Sequence, residues 1–172
     1  MAVRFGVVGT GNIGSQHIQL LNSGKVAGAT VAATASRSTP DLVTGVPHFV
    51  DYRQMFSDAD INAVLIATPT MSHVEVAQAA LEHNFHVVME KPIAMSMLQA
   101  ETLVARVPDD LKFAVMLNQR FHPAYAKLKQ LLVDDALGSL QRVSWTMTAW
   151  YRPDIYYQVS SWRGTWPGEG GG

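Results

Sequence analysis

The stretch that decides the fold is Val3-Arg4-Phe5-Gly6-Val7-Val8-Gly9-Thr10-Gly11-Asn12-Ile13-Gly14. Arg4–Val8 is a short, nearly continuous apolar run, the pattern of a strand buried on both faces. From Asn12 to Gly24, Ile13, His17, Leu20 and Leu21 recur at i, i+4, i+7 and i+8, which predicts one face of a helix. Between them lies G-x-G-x-x-G. Gly9 would allow the tight turn, Gly11 the approach of a pyrophosphate to the backbone, and Gly14 close packing of helix on sheet. Thr10, Asn12 and Ile13 complete the loop, whose N–H groups at the helix start would hold the anion. A plain glycine turn needs the same residues. The strand before it and the helix after it favour dinucleotide binding.

The alternation continues outward. Thr30–Ala35, Ala63–Ala67, His86–Met89 and Phe113–Leu117 are further short apolar runs. Helical patterns separate them: Ser72 to Asn84, with Val74, Ala77 and Leu81 in a stripe and Ser72 as N-cap, and Met95 to Val107, stopped by Pro108. The prediction is an α/β fold with a Rossmann-type parallel sheet. After Leu117 the character changes. Tyr125 to Val133 reads as a helix. Ser139 to Trp150 alternates, with Val143, Trp145, Met147, Ala149 and Tyr151 to one side, which predicts a long antiparallel-type strand. The expected division is 1–120 and 121–172, with the boundary near Asn118–Pro123. The second part, one helix and one strand before the glycine-rich Gly168–Gly172, is small for an independent domain. The expectation is a chain cut within that domain.

Composition removes several classes. The chain has 172 residues, 48% hydrophobic and 16% charged, as expected of a folded globular protein. Thirteen basic against 14 acidic side chains leave a net charge of -1, which argues against a sequence-independent nucleic-acid binder. Cysteine is absent, so disulfides, Cys-based zinc sites and thiol nucleophiles are excluded. No apolar run approaches the roughly 20 residues of a membrane span, and the N-terminus lacks a signal-peptide layout. The expected location is the cytoplasm, with no membrane partner. Of the six histidines, His83 and His86 lie three apart, but a helix end and a strand start separate them and no acidic cluster completes a metal site. The aromatic-rich end (Trp145, Trp150, Trp162, Trp166, Tyr151, Tyr156, Tyr157) suits core and subunit-interface packing better than stacking on a sugar or base.

The second strand ends in Ala35-Ser36-Arg37-Ser38. A site for NAD usually places Asp or Glu here for the ribose 2′-hydroxyl. The next acid is Asp41, beyond Pro40. Ser36 and Arg37 would instead hold a 2′-phosphate by charge-assisted hydrogen bonds, so NADP(H) is favoured over NAD(H).

Several motifs in order resemble one family, the glucose–fructose oxidoreductase, inositol dehydrogenase and rhizopine-catabolism group. They are Gly9–Gly14, Ala67-Thr68-Pro69-Thr70-Met71-Ser72-His73, Glu90-Lys91-Pro92, Asn118-Gln119-Arg120-Phe121 and Ser161-Trp162-Arg163-Gly164. The stretch from Tyr156 onward looks most like the nucleotide-sugar dehydrogenases of that group. The resemblance implies a Rossmann domain followed by an α/β domain with an open antiparallel sheet. It implies oxidation of a sugar or polyol hydroxyl by a nicotinamide cofactor, and a homo-oligomer, a dimer or tetramer, built through the sheet. Carried onto this sequence, it makes Lys91 the catalytic lysine and also one of the cofactor contacts. Glu90 would touch the nicotinamide side and Pro92 would fix the loop, with a cis Lys91–Pro92 bond to be looked for. Thr68, Pro69 and His73 would line the cofactor cleft, Gln119 and Arg120 would sit at the domain junction with Gln119 contacting the cofactor, and Trp162 and Arg163 match a signature whose arginine contacts the cofactor or shapes the junction.

The resemblance also implies a helix after the glycine run, carrying an Asp, a Gly and a His that serves as general acid/base. The sequence stops at Gly172, before such a helix. The expected function is therefore an NAD(P)-dependent oxidoreductase acting on a sugar, polyol or nucleotide-sugar hydroxyl, weak or inactive alone. The alternatives are a non-catalytic NAD(P)-binding module or subunit of a larger assembly, and an enzyme completed by a partner chain's His.

Overall fold

Six parallel strands form one sheet in the order β3-β2-β1-β4-β5-β6. They are β1 (Val3–Val8), β2 (Ala29–Ala35), β3 (His48–Phe49), β4 (Ala63–Ile66), β5 (His86–Met89) and β6 (Phe113–Val115). The computed structural model describes residues 2–37, 45–148, 151–158 and 162–169. The parallel sheet follows from the sequence pattern. Runs such as Ala63-Val64-Leu65-Ile66, buried at all four positions, offer no polar face to water and need helices on both sides. The helices are α1 (Asn12–Asn22), α2 (Tyr52–Asp58), α3 (His73–Glu82), α4 (Met97–Val104), α5 (Pro123–Val133), α6 (Asp154–Gln158) and α7 (Trp166–Glu169). This strand order reverses direction between β1 and β4, and such reversals are where open α/β sheets bind ligands, at the carboxyl ends of the strands.

Two buried clusters hold the sheet. One face gathers Met55, Phe56, Ile66, Val76, Ala80, Met89 and Leu103; the other gathers Val7, Ile18, Leu21, Val31 and Leu65. The second cluster fixes α1, and it corrects the expected stripe. Gly14, Ile18 and Leu21 are the buried residues of α1, while Ile13 and Leu20 are exposed. Gly14 has no side chain, so the helix lies close enough to the sheet for the next two turns to bury Ile18 and Leu21 in its place.

Three further expectations are corrected. The third strand and α2 were not predicted. Two residues carry no readable period, and the seven-residue α2 is started by Asp51, whose side chain accepts from the Arg53 N–H. Ser72 precedes α3 but caps nothing with its side chain; its hydroxyl donates to the Pro69 carbonyl, closing a 3₁₀ turn over Thr70–Ser72. The fourth helix is shorter than predicted, because the Ser96 side chain caps it at Gln99 and it ends at Val104, before Pro108.

The chain forms two compact units. Of the described residues, 2–37, 45–116 and 164–169 make the first and 117–148, 151–158 and 162–163 the second. In the first, α7 lies against the Thr70–Ser72 turn. In the second, α5 starts at His122, whose ring accepts from the Ala124 N–H, with Pro123 in the first turn. The long strand predicted over Ser139–Trp150 is not formed within the described residues 139–148. Its period-two pattern is intact, but a strand exists only as part of a ladder, and no described segment pairs with it. Val143, Trp145 and Met147 are exposed accordingly. Ala149, Trp150, Ser161, Asp41 and Gly170–Gly172 lie outside the described residues.

The position of the α1 stripe is measurable. Ile18 is 1% exposed and Leu20 45%. In urea unfolding, Ile18→Ala should cost about 2–5 kcal/mol and Leu20→Ala less than about 1 kcal/mol. The reverse order would restore the stripe read from the sequence.

Candidate functional site

The loops that carry the predicted site residues leave the sheet side by side. Each takes up a carbonyl of the neighbouring strand: Gly9 N–H donates to Ala35 O (2.8 Å), Ala67 N–H to Val8 O (2.8 Å) and Glu90 N–H to Ile66 O (2.9 Å). Gly9–Gly14, Ser36–Arg37, Thr68–Pro69 and Glu90–Lys91 therefore stand together at the carboxyl edge of β1, β2, β4 and β5.

The glycines separate into distinct tasks. Gly9 has φ +90°, and a Cβ there would sit 2.6 Å from the Ala67 oxygen. A Cβ on Gly14 would lie 1.9 Å from the Gly9 oxygen, so only glycine lets α1 come so near the end of β1. A Cβ on Gly11 meets nothing within 4 Å. Gly11 is the N-cap and supplies no side-chain cap, so the first-turn N–H groups of Asn12, Ile13 and Gly14 are donors with no capping side chain. The loop is braced from behind. Ser15 Oγ donates to Thr10 O (2.8 Å), and the Thr10 and Ser36 hydroxyls share a hydrogen bond of 2.6 Å. Open space over undersupplied N–H groups at a positive helix end suits a pyrophosphate.

Ser36 and the exposed Arg37 follow β2. Among the described residues from Ser36 to Val50 there is no acid. Across the edge, Thr68 Oγ1 is buried without a hydrogen-bond partner among the described residues. Glycine cradle, N–H groups without a capping side chain and the Thr68 hydroxyl without a partner among the described residues together fit a dinucleotide. No group of three or more His, Asp or Glu among the described residues is arranged to hold a metal ion.

The Glu90-Lys91-Pro92 loop follows β5, and its Lys91–Pro92 peptide is cis. His17 Nε2–H donates to Glu90 Oε1 at 2.8 Å, both side chains being largely buried. That hydrogen bond holds the Glu90 carboxyl below the ordinary carboxylate range. Partial burial opposes it, and the charge of His17 and the N–H and charge of Lys91 assist. Lys91 itself is exposed. His17 was read only as part of an apolar stripe. A histidine among isoleucine and leucines on a helix face was the available signal, and its partner lies 73 residues away.

His73 is buried, not lining open space. Its ring lies between the Pro92 and Thr68 carbonyls. Gln119 and Arg120 are exposed in a 3₁₀ turn, Asn118–Phe121, of the second unit. In the same unit Arg163 donates to Tyr156 O (3.2 Å) and stacks over the Tyr156 and Trp162 rings.

A family model described as "Oxidoreductase family, NAD-binding Rossmann fold" matches residues 3–118. The chain belongs to that oxidoreductase family. Among family members, inositol 2-dehydrogenase of an Arthrobacter species is 31% identical over 150 residues, 80% of this chain and 43% of the relative. An uncharacterized oxidoreductase of Bacillus subtilis, YrbE, is 26% identical over 166 residues, 91% of this chain and 47% of the relative. The chain thus spans less than half the length of these relatives. The scyllo-inositol dehydrogenase of Lactobacillus casei, solved with bound NAD(H) and scyllo-inositol, shares 29% identity over 80% of this chain and 43% of its own. The apo form of that enzyme superposes with a TM-score of 0.71. The WlbA dehydrogenase of Bordetella pertussis has the same fold over 98% of this chain and 52% of its own, with a TM-score of 0.83 and 24% identity. No helix of the described residues is long and apolar enough to cross a membrane.

Because Glu90 titrates low in the folded state, the stability it contributes is present above the unfolded carboxyl value of 4.5 and is lost as pH falls through the lowered folded value. Wild type should exceed Glu90→Gln in unfolding free energy at about pH 6, and the gap should narrow as pH falls below 4.5. A gap constant down to about pH 3 would show that the His17 bond leaves Glu90 unperturbed.

Proposed function

We propose that the intact protein is a nicotinamide-dependent dehydrogenase of a sugar or polyol hydroxyl, a nucleotide sugar included, using NADP(H) in preference to NAD(H). The observation that carries the reading is the meeting of the Gly9–Gly14 cradle and the Glu90-Lys91-Pro92 loop at one edge of the sheet. The cofactor would supply the hydride acceptor or donor. The N–H groups of Asn12, Ile13 and Gly14 would hold its pyrophosphate, with Ser36 and Arg37 at the adenosine ribose and Thr68, Pro69 and Glu90 towards the nicotinamide. Inositol 2-dehydrogenase relatives support a polyol as substrate.

Lys91 has the chemistry for the substrate end. An ammonium beside the reacting hydroxyl favours the negative oxygen that develops as hydride leaves carbon. The His17–Glu90 bond restrains the residue before it. Gln119 and Arg163 join the reading as cofactor contacts carried over from the family resemblance. The same reading places the protein in the cytoplasm as a homo-oligomer.

Two measurements on the intact protein test this. In fluorescence titrations NADPH should bind more tightly than NADH. Arg37→Ala should weaken NADPH by about ten- to hundredfold while leaving NADH unchanged, the range of a charge-assisted hydrogen bond. Equal effects on both cofactors would remove the 2′-phosphate assignment. Lys91→Ala should lower kcat by about a hundredfold or more, with a far smaller change in cofactor Kd. Cofactor binding with no turnover of any sugar or polyol would favour a non-catalytic module.

A further inference from the structure

His73 begins α3, where a side chain commonly meets water, yet it is 1% exposed. Its Nδ1 lies 2.7 Å from the Pro92 oxygen and its Nε2 3.0 Å from the Thr68 oxygen. A carbonyl oxygen only accepts, so each contact is a hydrogen bond only where that ring nitrogen carries a proton. A buried polar ring costs stability unless it is bonded, and an apolar residue would pack this site without that demand. Both partners are main-chain groups of the two loops that follow β4 and β5. The ring lies between the two loops, and Lys91 is the residue immediately before the Pro92 carbonyl that faces Nδ1.

Resting on the dehydrogenase reading above, we propose that His73 is a positioning residue for Lys91, acting through an Nδ1–H bond to the Pro92 carbonyl. The backbone before Lys91 is already held, by the Glu90 N–H on Ile66 O and by the Glu90 carboxylate on His17. The backbone after it has its anchor in the Pro92 carbonyl. An exposed lysine places its ammonium through four rotatable bonds, so a small shift of the main chain moves the charge away from the reacting oxygen. Misplacement by about 1 Å is enough to cost about a hundredfold in rate.

The two ring nitrogens can be separated by substitution. In His73→Asn the amide nitrogen takes the place of Nδ1 and keeps the donor to Pro92. In His73→Gln it takes the place of Nε2 and offers its donor to Thr68 instead, leaving the Pro92 carbonyl without one. In the intact protein, H73N should retain kcat within about threefold. H73Q should lose about ten- to hundredfold in kcat with little change in cofactor KM. Equal losses in both variants, or none in either, would overturn the proposal.

Two readouts do not depend on turnover. After reductive ¹³C-methylation, the Lys91 resonance, assigned by its absence in Lys91→Arg, should shift in H73Q and stay in place in H73N. In the unmodified wild type, long-range ¹H–¹⁵N spectra should show a protonated Nδ1 on His73, and a bare Nδ1 would overturn the proposal without any variant having to fold. If the protein turned over no sugar or polyol while these resonances behaved as stated, the dehydrogenase reading would fail and the Nδ1–H bond to Pro92 would stand.

Discussion

Helix α1 can reach the carboxyl end of β1 only because residue 14 has no Cβ, which would otherwise lie 1.9 Å from the Gly9 oxygen. Much of the first unit depends on that approach. It brings the N–H groups of the first turn to the edge of the sheet, where the helix field favours an anion. It also brings Ile18 and Leu21 down onto Val7, Val31 and Leu65, so the same contact that shapes the loop builds a core cluster. On the neighbouring face of the helix it sets His17 within reach of Glu90. A hydrogen bond between a glycine-loop helix and a loop 73 residues later is a consequence of how closely helix and sheet pack.

The sheet was legible because burial on both faces leaves a strong mark. Val7-Val8, Ala63–Ile66 and His86–Met89 sit between punctuating glycines, turns and helix-length segments, and their parallel order follows from the crossovers. What escaped was short or depended on partners far away in the chain. The two residues of β3 are strand only because Thr34 and Ser36 N–H groups meet the Pro47 and Phe49 carbonyls. The α1 stripe was placed on the wrong residues because a period fixes spacing but not which face meets the sheet, and Gly14 decides that by having no volume. The alternation over Ser139–Trp150 gives the faces of a strand, whereas strand formation needs hydrogen-bonding neighbours, which the described residues do not provide.

The candidate site was legible in the same uneven way. The Gly14 constraint comes from Gly9, five residues earlier, so the spacing of the two is readable in the sequence, whereas the Ala67 carbonyl that crowds Gly9 lies far along the chain. Glu90 and Lys91 were visible through resemblance, but the environment that tunes Glu90 was not, because His17 looked like one more member of a helix face. His73 was placed in the right neighbourhood and given the wrong surface. It looks inward at two carbonyls. Histidines from α1 and α3 thus meet the Glu90-Lys91-Pro92 loop at a side chain and at a main-chain carbonyl. The sheet edge that aligns the loops leaves Lys91 itself exposed.

On the proposed reading a dinucleotide lies across the start of α1 and reaches the loop after β5. Amide ¹H–¹⁵N shifts recorded during titration with the nicotinamide cofactor test it most directly. Saturable shifts are expected at Gly11, Asn12, Ile13 and Gly14 together with Glu90 and Lys91, all fitting one dissociation constant. Binding that left the Gly11–Gly14 amides unmoved while shifting residues elsewhere would contradict it.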